Sequence, residues 1–211
     1  MSTANLEVLV EEPSAEAALS ALLPKIVPVT PWQLRVFPGK QGLLRRLPAR
    51  LHGYSAWAPA TGTRLVILLD RDRDDCLELK TEVSKMVVDA GLRVASATEP
   101  AGTVLPRIVV KELEAWFLGD VPALRSAFPR LPAGLAQRAK YRDPDGITDT
   151  SRVLESLLQQ HNYHVSGLQK LALAHEVAPH MDVDNNSSRS FQVFRDGLRR
   201  LASEGTDVQA H

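Results

Sequence analysis

The chain has 211 residues, enough for one medium domain with a real core, or for one domain with an appended lobe. Lys and Arg total 25, as do Asp and Glu, so net charge argues neither for nor against a nucleic-acid partner. The single cysteine, Cys76, excludes a disulfide framework and a cysteine-rich zinc module. No apolar run reaches the length of a membrane span, and Met1-Ser2-Thr3-Ala4-Asn5 is too short and uncharged for a signal peptide. The expected location is the cytoplasm, with no membrane partner.

In chain order, Leu6–Val10 reads as a buried parallel strand: short, apolar and rich in branched residues. Ser14 is positioned to cap a helix over Ala15–Leu23, with Glu16 favourable in its first turn. Gln33–Phe37 reads as a short strand with Pro38-Gly39 turning out of it. Leu43–Tyr54 has helical spacing, but Pro48 predicts a break or kink. Leu65–Leu69 is the clearest strand, and an amphipathic helix follows over Asp75–Ala90, ended by Gly91. Arg93–Ala97 and Arg107–Val110 are further strand candidates. Alternating strands and helices predict an α/β fold, a three-layer parallel sheet with helices on both faces.

From Glu112 onward no segment reads as a strand. Leu113–Leu118, Pro122–Phe128, Ser151–Gln160, Gly167–Glu176 and Ser190–Ala202 read as helices between Pro- or Asp-rich turns. The expected organisation is an α/β domain over 1–120 and a helical lobe over 121–211 packed on it.

Acids follow two of the strands. Val10 runs into Glu11-Glu12-Pro13-Ser14-Ala15-Glu16, and Leu69 runs into Asp70-Arg71-Asp72-Arg73-Asp74-Asp75. Ligands of open α/β sheets bind just outside the carboxyl ends of the strands, so carboxylates placed there converge on one volume. A divalent metal of the magnesium type neutralises such a cluster without a proton. Asp70 and Asp72 are two residues apart and point to one side of an extended strand end, and Glu11 supplies a third oxygen if the strands are neighbours. For either cluster alone the plainer reading is that Asp74 or Asp75 caps the next helix while Arg71 and Arg73 neutralise a solvated turn. Occurrence at two strand ends favours the metal. Glu112 and Glu114 follow the Arg107–Val110 strand and can reach the same crevice. Trp116, among apolar neighbours, reads as core.

These residues carry a resemblance. Val10-Glu11-Glu12-Pro13-Ser14 with Asp70-Arg71-Asp72 resembles the Toprim signature, a glutamate after one strand and Asp-x-Asp after another. The stretch from Leu69 to Cys76, Glu112-Leu113-Glu114-Ala115-Trp116, Asp143-Pro144-Asp145 and Asn186-Ser187-Ser188-Arg189-Ser190-Phe191 narrow it. Together, over essentially the whole chain, they resemble the bacterial family called domain of unknown function 4276. That family is regarded as Toprim-like and is similar to the nucleases of the overcoming-lysogenization-defect type.

The resemblance implies a Toprim-like, Rossmannoid parallel sheet with a C-terminal helical lobe, and a metal-dependent nuclease or nuclease subunit. It implies that Glu11, Asp70 and Asp72 are catalytic and hold Mg²⁺, with Mn²⁺ as the alternative ion. Asp74 and Glu114 would be outer or second-metal ligands. Nucleic acid, DNA in the first instance, is the implied substrate. The implied partner is an AAA- or ABC-type ATPase encoded nearby, and the implied setting is defence against foreign DNA. The glycine that usually follows the Toprim glutamate is Glu12 here, which either crowds a phosphate or joins the metal site. No tyrosine is placed for covalent attack, so hydrolysis is favoured over strand passage.

From Arg35 through Arg50 there are five cations and no acid, and Arg45, Arg46 and Arg50 are candidates for phosphate contact or for a solvated helix face. Lys111 and Lys170 stand in the same position, phosphate ligand or ordinary lysine. Arg195, Arg199 and Arg200 make a smaller basic face on the last helix. Asp182–Asn186 fails as a calcium loop, with Ser187 and Val193 where Gly and Glu belong, so Ser187 or Ser188 is expected to cap the last helix. There is no zincin histidine pair, glycine-rich phosphate loop or serine elbow. Two further functions remain: a non-catalytic regulatory subunit that keeps the fold, and, more weakly, a phospho-acceptor receiver domain.

Overall fold

The computed structural model describes residues 6–71, 74–96, 99, 101–109 and 112–207. Four strands, β1 (Leu6–Val10), β2 (Trp32–Val36), β3 (Arg64–Asp70) and β4 (Val104–Val109), form one parallel sheet in the order β2-β1-β3-β4. Between them run α1 (Pro13–Ile26), α2 (Gly39–Ser55), the single turn α3 (Ala58–Thr61) and α4 (Cys76–Asp89). After β4 come α5 (Glu114–Leu118), α6 (Val121–Ala127), α7 (Thr150–Gln160), α8 (Lys170–Val177) and α9 (Arg189–Asp207), and no further strand occurs among the described residues.

Strand alternation sorts the side chains into two cores. Val8, Val10, Val66, Leu68 and Leu105 face α1 and, beyond it, the helices from α5 to α9, in one continuous apolar cluster. Leu9, Leu65, Ile67, Leu69 and Val104 face α2 and α4. The sheet is thus covered on both faces, as the continuous apolar run Leu65–Leu69 in the middle of it requires. It is a Rossmann-like α/β fold in which the strand order reverses between β1 and β3, with β2 laid on one side of β1 and β3 and β4 on the other.

Several local expectations change. Glu12, not Ser14, occupies the N-cap of α1, with Pro13 in the first turn, and the Ser14 hydroxyl donates to Glu12 Oε1 at 2.5 Å. The helix α2 continues through Pro48. Pro48 is exposed, while Leu43, Leu47, Leu51 and Tyr54 bury one stripe on both sides of it. Each such apolar side chain contributes about 1.5–3 kcal/mol, which together exceed the roughly 3 kcal/mol cost of an internal proline. The Arg93–Ala97 strand reduces to a bridge between Val94 and Val104, and Ala97 lies outside the described residues. Asp75 caps α4 by accepting the Leu77 and Glu78 N–H groups, and Gly91, at φ +77°, turns the chain out of it. No helix among the described residues is long and apolar enough to cross a membrane.

Candidate metal centre at the switch point

Glu11 leaves the end of β1 and Asp70 ends β3, the two adjacent parallel strands between which the strand order reverses. The crevice that opens there is the general ligand position of such sheets. Glu11 is buried, and its Oε1 accepts the Asp70 backbone N–H at 2.5 Å. From the connection after β4, the first residue of α5 brings in Glu114, whose side chain is 1% exposed. Lys170, at the start of α8, sets its Nζ 3.3 Å from Glu114 Oε1 and 3.4 Å from Oε2. Oε1 is buried and, despite that ion pair, is in no hydrogen bond.

Burial first, and then the carboxylates of Glu11, Glu114 and Glu12, push Asp70 well above the usual carboxylate range, opposed only in part by Lys170. Glu114 is also raised, by burial first, with Lys170 opposing and Glu112 and Glu12 adding to it. Burial lowers Lys170, but Glu114, Glu12, Glu112 and Asp70 outweigh it, so the ammonium holds its proton more firmly than an ordinary lysine. Four elements thus supply negative charge to one crevice, and the cleft favours a proton or a cation on Asp70. The oxygen donors suit Mg²⁺ in kind, and the buried Glu114 Oε1 has lone pairs to offer. Among the described residues, however, no three His, Cys, Asp or Glu side chains already stand close enough to hold an ion.

Not every candidate enters this crevice. Asp72 and Lys111 lie outside the described residues. Asp74 turns outward, half-exposed, and pairs with Lys40 Nζ at 2.9 Å. Glu112 caps α7 instead, where its Oε2 accepts the Thr150 hydroxyl at 2.7 Å and the Ser151 N–H at 2.8 Å. Within the basic stretch, Arg35 is engaged by Glu7 at 3.3 Å and Lys40 by Asp74. Arg45, Arg46 and Arg50 are exposed on α2, the first two adjacent and Arg50 about one turn further along.

The later sequence blocks prove to be a scaffold for α5. Trp116 is fully buried, its Nε1 donates to Ser190 Oγ at 2.9 Å, and its ring packs on Phe191 and Phe194. Asp145 accepts the Ser188 hydroxyl, the Ser190 hydroxyl and the Ser190 N–H at 2.9–3.0 Å. Asn186 Nδ2 donates to Trp116 O, and Asn186 Oδ1 accepts the Ser188 N–H, both at 2.8 Å. Ser188 Oγ accepts the Phe191 N–H, the expected cap at the start of α9. This buried network ties α9 to the helix that carries Glu114, a long-range pairing that no local pattern in the sequence signals.

A Rossmann-like parallel sheet with carboxylates gathered at its switch point defines an α/β protein built around an acidic strand-end cleft. The chain belongs to the family DUF4276, a domain of unknown function, whose family model matches residues 10–199. No curated protein and no solved structure gave a significant match.

Proposed function

We propose that this chain is a Toprim-like, Mg²⁺-dependent phosphodiesterase that hydrolyses nucleic acid, DNA in the first instance. The observation that carries the reading is the gathering of Glu11, Asp70 and Glu114 at the switch point, where their mutual repulsion favours a cation. In this reading Glu11, Asp70 and Glu114 hold the ion, together with Asp72. Asp74 drops out of the set because Lys40 engages it. Bound Mg²⁺ or Mn²⁺ supplies charge stabilisation at the scissile phosphate and lowers the pKa of a water ligand.

The remaining work falls to the chain's own groups. Glu11 fixes the end of β3 through the Asp70 N–H and so orients the Asp70 carboxylate. Lys170 keeps its charge, and with Glu114 coordinated to an ion its ammonium would be available to a phosphate oxygen. Glu112 holds the start of α7 against the same cleft wall. A partner ATPase encoded nearby and a role in defence against foreign DNA belong to the same proposal and rest on the resemblance to Toprim nucleases.

A second reading, a regulatory subunit that keeps the fold without cutting, is favoured by one observation. Lys170 already neutralises Glu114 within the cleft. Supercoiled plasmid and labelled single-stranded DNA and RNA, incubated with the protein in Mg²⁺, Mn²⁺ or EDTA beside Asp70→Asn, separate the two. Metal-dependent cutting that the variant lacks is the expected result. Intact substrate in every lane, with any neighbouring ATPase and ATP added, rejects the nuclease in favour of the regulatory subunit.

A further inference from the structure

A second feature lies at the far edge of the sheet. A groove of about 380 Å³ opens between α4, the outer edge of β4 and the first turns of α9. Pro106, Ile108 and Val193 give it an apolar floor, while Lys80, Arg107 and Arg189 are its cations. Among the described residues no carboxylate pairs with any of the three. The acid in the wall, Asp145, already accepts three hydrogen bonds from Ser188 and Ser190.

Arg107 is the most informative of these cations. Its guanidinium lies against the bare backbone of Gly197 in α9, where a Cβ would come within 2.6 Å of Nη2. The glycine therefore makes room for the charged group and holds it in place. Its Nη1 donates to Pro106 O at 3.1 Å, and its Nε is buried without an acceptor. Arg200 lines the adjoining pocket beside it, a second positive charge facing the first. Burial first, then Arg200, makes the charged form of Arg107 harder to keep, a cost that a bound anion relieves. A held, unpaired arginine among like charges points to an anionic ligand.

We infer that the α4–β4–α9 groove binds an unpaired nucleotide strand, its phosphates on Lys80, Arg107, Arg189 and Arg200 and its bases against the Pro106–Ile108–Val193 floor. The inference deepens the nucleic-acid reading and rests on it. Three cations in one groove and a fourth in the pocket beside it match a repeating polyanion better than a single small anion. An apolar floor profits only from bases that are not already stacked in a duplex, which favours a single strand. Strand β4 leads from this groove toward the acidic cleft, since Arg107 pairs with Leu68 and Val109 with Asp70 in the β3–β4 register.

The test reads binding in EDTA, so it is independent of cleavage. Fluorescence anisotropy of labelled oligothymidylate, oligouridylate and a duplex is compared for the natural chain, Lys80→Glu/Arg189→Glu and Arg45→Glu/Arg46→Glu. All four substituted positions are exposed, so folding is preserved. The expected result is preference for the single strands and a loss of at least about tenfold in the groove variant. The salt slope should fall by about 0.7 for each phosphate contact removed. The α2 variant should bind as the natural chain does, and the DNA and RNA arms show which strand is preferred. The single cysteine, Cys76, lines the groove, so bound oligonucleotide should also slow its alkylation. Tight binding that the groove variant retains, with Cys76 unprotected, overturns this inference and leaves the nuclease reading standing. No binding of any nucleic acid by the natural chain in EDTA also overturns this inference, while the metal-dependent cleavage assay decides the nuclease reading separately.

Discussion

The Glu11 carboxylate accepts the backbone N–H of Asp70 at 2.5 Å, joining the ends of two neighbouring strands whose residues are 59 positions apart. The contact has two parts, a hydrogen bond that closes the top of the sheet and a negative charge that faces Asp70. A substitution can remove one and keep the other.

Glu11→Gln keeps an amide oxygen able to accept the Asp70 N–H, whereas Glu11→Ala leaves that donor without it. The alanine variant should lose about 1–3 kcal/mol of unfolding free energy and the glutamine variant much less. Urea denaturation measures the difference. Both should lack metal-dependent activity if Glu11 is a ligand, so equal stability losses would undo the separation of roles.

Asp70 carries a pKa raised by burial and by three other carboxylates. The sign follows directly: folding disfavours its ionised form, so above its ordinary pKa the metal-free fold is less stable than one with a neutral isostere. Asp70→Asn should therefore raise Tm in EDTA, by about 2 °C or more. Adding Mg²⁺ should raise Tm of the natural chain and leave the variant unmoved. Scanning calorimetry in the two buffers decides; a lower Tm for Asp70→Asn in EDTA contradicts the electrostatic account.

Glu112 behaves in the opposite sense. Burial alone would raise its pKa, but the Ser151 N–H, the Thr150 hydroxyl and Lys170 outweigh it and hold it below the ordinary 4.5. A depressed carboxylate contributes stability that is present above its unfolded pKa and is lost as pH falls through its folded value. Glu112→Gln should cost roughly 1 kcal/mol at neutral pH, allowing for its partial exposure. The gap between variant and natural chain should close in acid. Urea midpoints measured from neutral pH downward test this, and a gap that widens in acid refutes it.

Gly119 ends α5 where Asn186 and Ser188 approach its backbone. A Cβ there would overlap Asn186 Oδ1 and come within 2.8 Å of Ser188 N. Gly119→Ala should therefore cost about 2 kcal/mol or more, because the network holding α5 must shift. The same variant should weaken metal binding, since α5 carries Glu114. Calorimetric Tm and Mg²⁺ titration measure the two effects, and an unchanged Tm would mean that the loop yields without strain.

Much of the first half was legible in the amino-acid order because its signals are local. A largely apolar run of five residues, Leu6–Val10 and Leu65–Leu69, followed by an acid at Glu11 and Asp70, announces a buried parallel strand and what its end presents. The helices at 76–89 and 150–160 carry their own start signals, Asp75 accepting the Leu77 and Glu78 N–H groups and Asp149 the Arg152 N–H. Where a local signal misled, a distant one overrode it. Pro48 does not end α2, because the leucines on either side of it pack on the same sheet face.

The sequence by itself determined the alternation of buried strands and amphipathic helices, and the placing of acids where strands end, because both follow from periodicity within a few residues. Tertiary structure alone decided which of those acids meet. Glu114 joins Glu11 and Asp70 while Asp74 turns to Lys40, and Lys170 arrives from a helix 56 residues beyond Glu114. Arg107 comes to rest on Gly197 for the same reason. Strand order, and the packing of α9 on α5 and β4, set these distances, and the free energy that fixes them is spread over an apolar core with no local spelling in the chain.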